Sequence, residues 1–210
     1  MIAVVEGLSA AGKTSWCNRY VPESTVWEAP IPSYAPSRAS DAENATKYWA
    51  LKNSERWHSA LSMESVGGFA ICDTDPFKLH YAFSLWKIGE LSLQNWKLEV
   101  DIHRGYFASD QLGLADRYFV SVPDAQTLQA QKDGDSTRSR GSFELHSQLG
   151  HALKTWYQAI DSLEPGIVTW NFPESIDDGD LLRTKRRQIR SGIKKFDQLI
   201  DSLSETPEST

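Results

Sequence analysis

Apolar residues along this chain fall into short runs that alternate with longer stretches of helical periodicity. The run Ile2-Ala3-Val4-Val5 predicts a strand over residues 2–6, and residues 15–20 continue as a helix. Residues 24–28 (S-T-V-W-E) read as a second short strand that runs into the proline-broken loop A-P-I-P-S-Y-A-P-S. Residues 41–65 carry helical spacing with Trp49 and Trp57 among the apolar positions; Asp41 or Ser40 is the candidate cap and Val66-Gly67-Gly68 the break. Residues 69–72 predict a third, buried strand, followed by helical segments through Phe107. Residues 117–122 predict a fourth strand, closed by Pro123 with a helix starting at Asp124. Leu145, Leu149, Leu153 and Trp156 mark one face of a helix over residues 143–163, and residues 166–170 make the last strand. An amphipathic helix over residues 180–203 presents Leu182, Ile189, Ile193, Phe196 and Ile200 on one side.

Strands alternating with helices call for an α/β fold with a mostly parallel sheet covered on both faces, a three-layer sandwich. Ligands in such folds sit at the carboxyl ends of the strands. One domain over residues 1–203, followed by a disordered tail over 204–210, accommodates the pattern; the 210 residues contain no internal repeat.

Composition narrows the function classes. A net charge of -6 opposes general binding to nucleic acid, which needs a basic field. The basic run Arg183, Lys185, Arg186, Arg187 and Arg190 reads as a solvated helix face. No apolar segment approaches the roughly 20 residues of a membrane span, and the N-terminus lacks the basic region of a signal peptide. Cys17 and Cys72 have no metal or disulfide spacing and read as reduced core thiols. A cytoplasmic location is expected. Eight tryptophans are unusual for this length and gather toward the first half.

The chemistry begins directly behind the first strand. G-L-S-A-A-G-K-T-S, from Gly7 to Ser15, matches G-x-x-x-x-G-K-[ST], the Walker A phosphate loop. Its glycines let backbone N–H groups turn inward on phosphates with no Cβ in the way. Gly7, Ser9, Ala10, Ala11, Gly12, Lys13, Thr14 and Ser15 are therefore expected to cradle ATP, with Lys13 on the β- and γ-phosphates and Thr14 on Mg²⁺. The third strand ends at Asp73-Thr74-Asp75. Asp73 is the expected second ligand of Mg²⁺, and Asp75 suits a helix cap because Pro76 would take the first helical position. The second strand ends at Trp27-Glu28-Ala29-Pro30, where Glu28 could orient a hydroxyl nucleophile and take its proton. Asp73 and Asp75 remain alternatives for that base. The loop K-D-G-D-S-T-R-S-R-G-S-F-E suggests a lid over residues 131–142, with Arg138 and Arg140 neutralising charge on the transferred group.

The opening V-V-E-G-L-S-A-A-G-K-T-S resembles that of thymidylate and deoxynucleoside kinases, where a Glu-Gly pair also leads into the phosphate loop. W-E-A-P resembles their Glu-x-Pro segment after the second strand, and R-S-R-G-S-F-E-L-H-S-Q-L resembles their arginine-containing lid and following helix. The D-T-D after the third strand is closer to nicotinamide riboside kinase-like proteins, and chloramphenicol-type phosphotransferases share the scaffold. The resemblance spans most of residues 1–170, with the phosphate loop as its specific element. It implies a P-loop kinase fold with a helical acceptor-binding insertion over about residues 29–65. The chain departs from the two first-named families where they carry an acid-Arg pair: Asp73 is followed by Thr74.

The expected function is ATP- and Mg²⁺-dependent phosphoryl transfer to the hydroxyl of a nucleoside-like, riboside or natural-product acceptor, an antibiotic included. The runner-up is a nucleoside monophosphate kinase of thymidylate-kinase type, which needs cations for the acceptor's own phosphate. An NTPase without a small acceptor, and a nucleic-acid end kinase, rank below. Trp27, Arg38, Trp49, Arg56, Trp57 and Asp75 are the expected acceptor-side residues. A homodimer is possible on this reading.

Overall fold

The computed structural model describes residues 1–134, 143–175 and 192–204. β1 (Ile2–Gly7) occupies the centre of a five-stranded sheet, between β3 (Ala70–Asp73) and β4 (Arg117–Ser121). β2 (Thr25–Val26) and β5 (Val168–Trp170) form the edges, giving the order 2-3-1-4-5 with every pair parallel. Every residue of β1 is buried, as a central parallel strand covered on both faces requires. Ile2 and Val4 enter the larger core while Ala3 and Val5 enter the smaller one, because successive side chains point to opposite faces.

The smaller core lies under α1 (Lys13–Tyr20), whose Trp16 and Cys17 pack with Phe69, Ile71 and Phe119. The larger core is shared by α3 (Leu79–Lys87), α4 (Leu93–Ala108), and two helices introduced below. Phe77 is its hinge pin: its ring lies 4.7 Å from Phe107, 5.5 Å from Trp156 and 5.8 Å from Phe196. That anchoring fixes the turn that follows β3, and with it the carboxylates the turn carries.

α2 (Ala42–Gly67) begins where Asp41 accepts the Asn44 N–H and ends at Gly68, whose φ of 84° completes a left-handed cap. The helix thus passes residue 65 and keeps Gly67, because Gly68 is the position that needs φ > 0. α5 (Ala125–Asp133) is capped by Asp124 and absorbs the first residues of the expected lid; residues 135–142 lie outside the described residues. The expected helix over 143–163 divides into α6 (Phe143–Ser147) and α7 (Gly150–Leu163). At the break, Gln148 and Leu149 make tighter i→i−3 bonds to Leu145 and His146. Gly150 then passes close to Val122 and Leu8, where a Cβ would sit 3.2 and 3.3 Å from their side chains. α8 (Ile193–Ser204) takes up Ile193, Phe196 and Ile200 of the expected amphipathic face and includes Ser204, assigned above to the tail. Leu182, Ile189 and the five basic residues lie outside the described residues, as does 205–210. β2 is shorter than expected, so Trp27 and Glu28 leave the sheet at its carboxyl edge.

The chain runs from β1 to the far edge strand β2, returns to β3 beside β1, then crosses to β4 on β1's other side. The strand order therefore reverses between β1 and β3, and the crevice opens at that point. On the other side of β1, Gly7 lies opposite Ser121 of β4, and a Cβ on it would fall 2.4 Å from the Ser121 carbonyl oxygen and 3.1 Å from Ala11 Cβ. Gly7→Ala is expected to cost about 1–3 kcal/mol, read as a lower urea midpoint. An unchanged midpoint would mean that β1 and β4 can part without cost.

Candidate active site

The phosphate loop leaves β1 through two left-handed positions, Ala10 (φ 73°) and Gly12 (φ 87°). Ala11 N–H donates to the Leu8 carbonyl at 3.1 Å, closing the turn, and α1 starts at Lys13 without a side-chain cap. Its first-turn N–H groups are therefore open to an anion. Lys13 Nζ donates to the Gly7 and Leu8 carbonyls at 2.6 and 3.2 Å, folded over the loop it would serve.

Thr14 Oγ1 donates to Asp73 Oδ2 at 2.8 Å, bringing together the two residues expected to hold a metal. Asp73 Oδ1 is buried with no hydrogen-bond partner among the described residues, and burial raises the Asp73 carboxyl above its ordinary range despite Thr14 and Lys13. A free carboxylate oxygen beside a hydroxyl, at the mouth of a phosphate loop, fits Mg²⁺, which takes few protein oxygens and fills its sphere with water and phosphate.

Beneath the loop lies a network absent from the sequence-based expectations. Glu6 Oε1 accepts the Gly7 N–H at 2.8 Å and Oε2 accepts the Asp75 N–H at 2.9 Å. His80 Nε2 stands 3.2 Å from Oε2 and Lys13 Nζ 3.7 Å from Oε1. Burial alone would raise the Glu6 carboxyl, but His80 and Lys13 outweigh it and hold it far below the usual range. Asp75 does not cap a helix: α3 begins at Leu79, with Lys78 as N-cap residue. Its carboxylate faces inward instead, accepting the Phe77 N–H at 2.8 Å and the Tyr157 hydroxyl at 3.0 Å. Burial pushes its pKa up to about 6, with His80 opposing.

The cleft above these groups encloses about 1740 Å³ and is walled by the phosphate loop, Asp73 and Thr74, the loop after β2, and parts of α2, α3 and α4. Glu28 and Lys78 form an ion pair across it. Burial favours the neutral Glu28 carboxyl, but Lys78, joined by Lys13, lowers its pKa overall. Trp27, Trp49 and Arg38 line the cleft, together with Tyr81, His103 and Asn53. Arg38 Nε donates to the buried Glu99 at 2.8 Å. Burial lowers the His103 pKa, with Glu99 opposing.

Three expected acceptor residues lie elsewhere: Asp75, in the buried network described above, and Trp57 and Arg56. Trp57 is buried in the larger core, because at position 57 the face of α2 packs on the sheet. Arg56 lies behind the cleft, donating from Nε to the Trp27 carbonyl at 3.0 Å and from one terminal nitrogen to the Asp73 and Thr74 carbonyls at 2.6 and 2.9 Å. It braces the exits of β2 and β3. Trp86 and Trp96 stack on each other, their ring centroids 5.5 Å apart. Arg138 and Arg140 lie outside the described residues. Glu6, Lys78, His80, Tyr81 and His146 are the cleft or subcleft groups that sequence reasoning passed over. The polar residues Lys78 and His80, interrupting the apolar run after Pro76, were the available signal.

The Asp75 shift has a definite sign. Its pKa stands at about 6 against an ordinary 3.8, so its contribution to stability is complete below pH 3.8 and disappears as pH rises through 6. Stability relative to an Asp75→Asn variant should accordingly fall between pH 4 and pH 7, measured by urea denaturation of both proteins at each pH. Parallel curves would remove the protonated carboxyl.

The sequence matches no protein-family model and no curated protein. Solved structures of deoxyadenosine kinase from M. mycoides share its architecture. The form with bound dCTP superposes with a TM-score of 0.55 at 12% identity, covering 87% of this chain and 95% of that one. The form with bound dATP gives 0.50 at 12% identity, with the same coverage of 87% and 95%. The form with dCMP and a flexible dCDP gives 0.54 at 11% identity over 98% of this chain and 100% of that one. Strand order, phosphate loop and these likenesses agree: the chain has a P-loop nucleoside kinase-like fold.

Proposed function

We propose that this protein is an ATP- and Mg²⁺-dependent kinase that phosphorylates a hydroxyl of a neutral nucleoside-like, riboside or natural-product acceptor. The observation that carries the reading is the position of Glu28. It leaves β2 at the carboxyl edge of the sheet and shares one cleft with Lys13, Thr14 and Asp73. In this reading the acceptor oxygen attacks the γ-phosphorus, the bond from that phosphorus to the β-γ bridging oxygen breaks, and Glu28 takes the hydroxyl proton. Thr14 and Asp73 would hold Mg²⁺, which supplies charge neutralisation on the phosphates. Lys13 and the loop amides fix the triphosphate, so positioning and electrostatics carry most of the rate. Arg138 and Arg140, outside the described residues, would neutralise charge on the transferred group.

The acceptor wall supports a neutral substrate over a nucleoside monophosphate. Among the described arginines, Arg38 lines the cleft, and its charge is already matched by Glu99. Arg56, the other candidate phosphate clamp, is turned onto backbone carbonyls. Trp27, Trp49 and Tyr81 offer flat apolar faces suited to a ring. The likeness to a deoxyadenosine kinase, at 11–12% identity, is in keeping with a nucleoside-sized acceptor.

The test is ADP release with Mg-ATP over nucleosides, ribosides, nucleoside monophosphates and hydroxyl-bearing antibiotics, with mass detection of product. A neutral acceptor gaining one phosphate is expected; turnover with monophosphates alone would transfer the assignment to the runner-up. Lys13→Ala should abolish turnover, and Glu28→Gln should lower kcat by roughly 10²–10⁴. Wild-type kcat in Glu28→Gln would end the base assignment. Alanine at both Arg138 and Arg140 should lower kcat by about 10²-fold or more while ATP affinity changes less, and an unchanged kcat would remove them from the transfer step.

A further inference from the structure

Lys78 does not belong to the phosphate loop; its one mark in the sequence is that it interrupts the apolar run after Pro76. It occupies the N-cap position of α3, five residues beyond Asp73, and reaches across the cleft to Glu28 on the loop after β2. The two side chains are 33% and 42% exposed, so the pair adds little to stability: a solvated ion pair stabilises by about 0–1 kcal/mol. A fold device is therefore a poor account of why two long side chains meet at the mouth of the site.

The surroundings give a better one. Lys78 lines the same cleft as Gly12, Lys13, Thr14 and Asp73. His146 lines this cleft too, and its pKa is lowered by burial and then by the charges of Lys13 and Lys78. Lys13 rests on carbonyl oxygens of its own loop, and Lys78 rests on Glu28. Both cations are held by protein oxygens that a nucleotide could replace. The reaction proposed above also requires Glu28 to turn its carboxylate to the acceptor hydroxyl, and this frees the ammonium next to the incoming γ-phosphate. A carboxylate locked in an ion pair is a poor proton acceptor, whereas one whose partner has moved to phosphate recovers its basicity.

We infer that Lys78 is the second phosphate-binding cation of the site, exchanging its ion pair with Glu28 for the γ-phosphoryl oxygens when the triphosphate binds. This rests on the kinase reading and extends it to a residue outside the phosphate loop. Lys78 is then a catalytic residue, in contact with the transferred group, and it ties release of the base to arrival of the donor. Thr74, which follows Asp73, brings no charge to this space; Lys78 does.

The experiment compares binding of ADP and of a non-hydrolysable ATP analogue to the full chain by calorimetry, in wild type, Lys78→Met and Lys78→Arg, alongside steady-state kinetics. Lys78→Met should bind the triphosphate analogue about tenfold more weakly while its ADP affinity stays near wild type. With a turned-over acceptor, kcat should fall by roughly 10–10³-fold with little change in the acceptor KM. Lys78→Arg should recover most of both, and the urea midpoint should not move in either variant. Wild-type discrimination between the analogue and ADP in Lys78→Met would overturn the inference whether or not an acceptor has been found. If wild type binds the analogue but phosphorylates nothing in the panel, the acceptor reading fails while the binding comparison still decides for or against Lys78.

Discussion

The buried carboxylate of Glu6 holds the site together, and its burial dictates much of what surrounds it. An ionised carboxylate at the end of a central strand is tolerated only when both oxygens are hydrogen-bonded and a countercharge is near. Glu6 meets those terms with the Gly7 and Asp75 N–H groups and the Lys13 ammonium, and His80 Nε2 lies 3.2 Å from its Oε2. These four partners belong to the phosphate loop, the turn after β3 and the first turn of α3. One group therefore sets the spacing between the loop that would bind phosphate and the turn that carries Asp73. Because the Asp75 amide is held from below, Asp73 is presented to Thr14 above, and the Asp75 carboxyl is left to face Tyr157 on α7.

Charge in the cleft is arranged by position. The side nearest the phosphate loop carries Lys13 and Lys78, both resting on protein oxygens that a nucleotide could displace. The far side carries Arg38, whose charge is matched by a buried glutamate, and aromatic faces. A net charge of -6 across the whole chain coexists with this local cationic zone because fields in a cleft are set by the nearest few groups. On the proposed reading, the lysines would take the triphosphate and the aromatic faces a neutral ring, with Glu28 serving both.

The sheet was readable because its signals are local. A four-residue apolar run followed at once by the phosphate-loop pattern leaves little freedom for β1 and α1, and Asp41, Gly68 and Asp124 cap helices for reasons that span only a few residues. Thr14 and Asp73 were also legible as a pair, since both sit just past buried strands that the topology makes neighbours. What escaped were residues whose roles depend on distant chain. Arg56 and Trp57 are adjacent on α2, and nothing within the helix tells which packs into the core and which reaches three backbone carbonyls 17 to 29 residues away. Asp75 looked like a cap because Pro76 follows it, but anchoring of Phe77 among four aromatic rings turns the chain before the helix begins. Glu28 and Lys78 meet across a sequence separation of 50, which no spacing rule reaches.

Thr74 shows how the departure from the resembled kinases is accommodated. A β-branched residue at φ 68° is strained, and its buried hydroxyl finds no hydrogen-bond partner among the described residues. Such a conformation persists only where its surroundings over-determine it. Here the Thr74 N–H is tied to the Val5 carbonyl at 3.0 Å, its own carbonyl is held by Arg56, and the next amide is held by Glu6. The strained turn directs Asp73 toward the phosphate loop on one side and returns the chain to the core through Phe77 on the other. An arginine in place of Thr74 could put a charge into the cleft, but Arg56 already supplies a guanidinium at this turn and uses it on the backbone. On the proposed reading, the cation that joins Lys13 at the reacting groups comes from farther along the chain, from Lys78 at the start of the next helix.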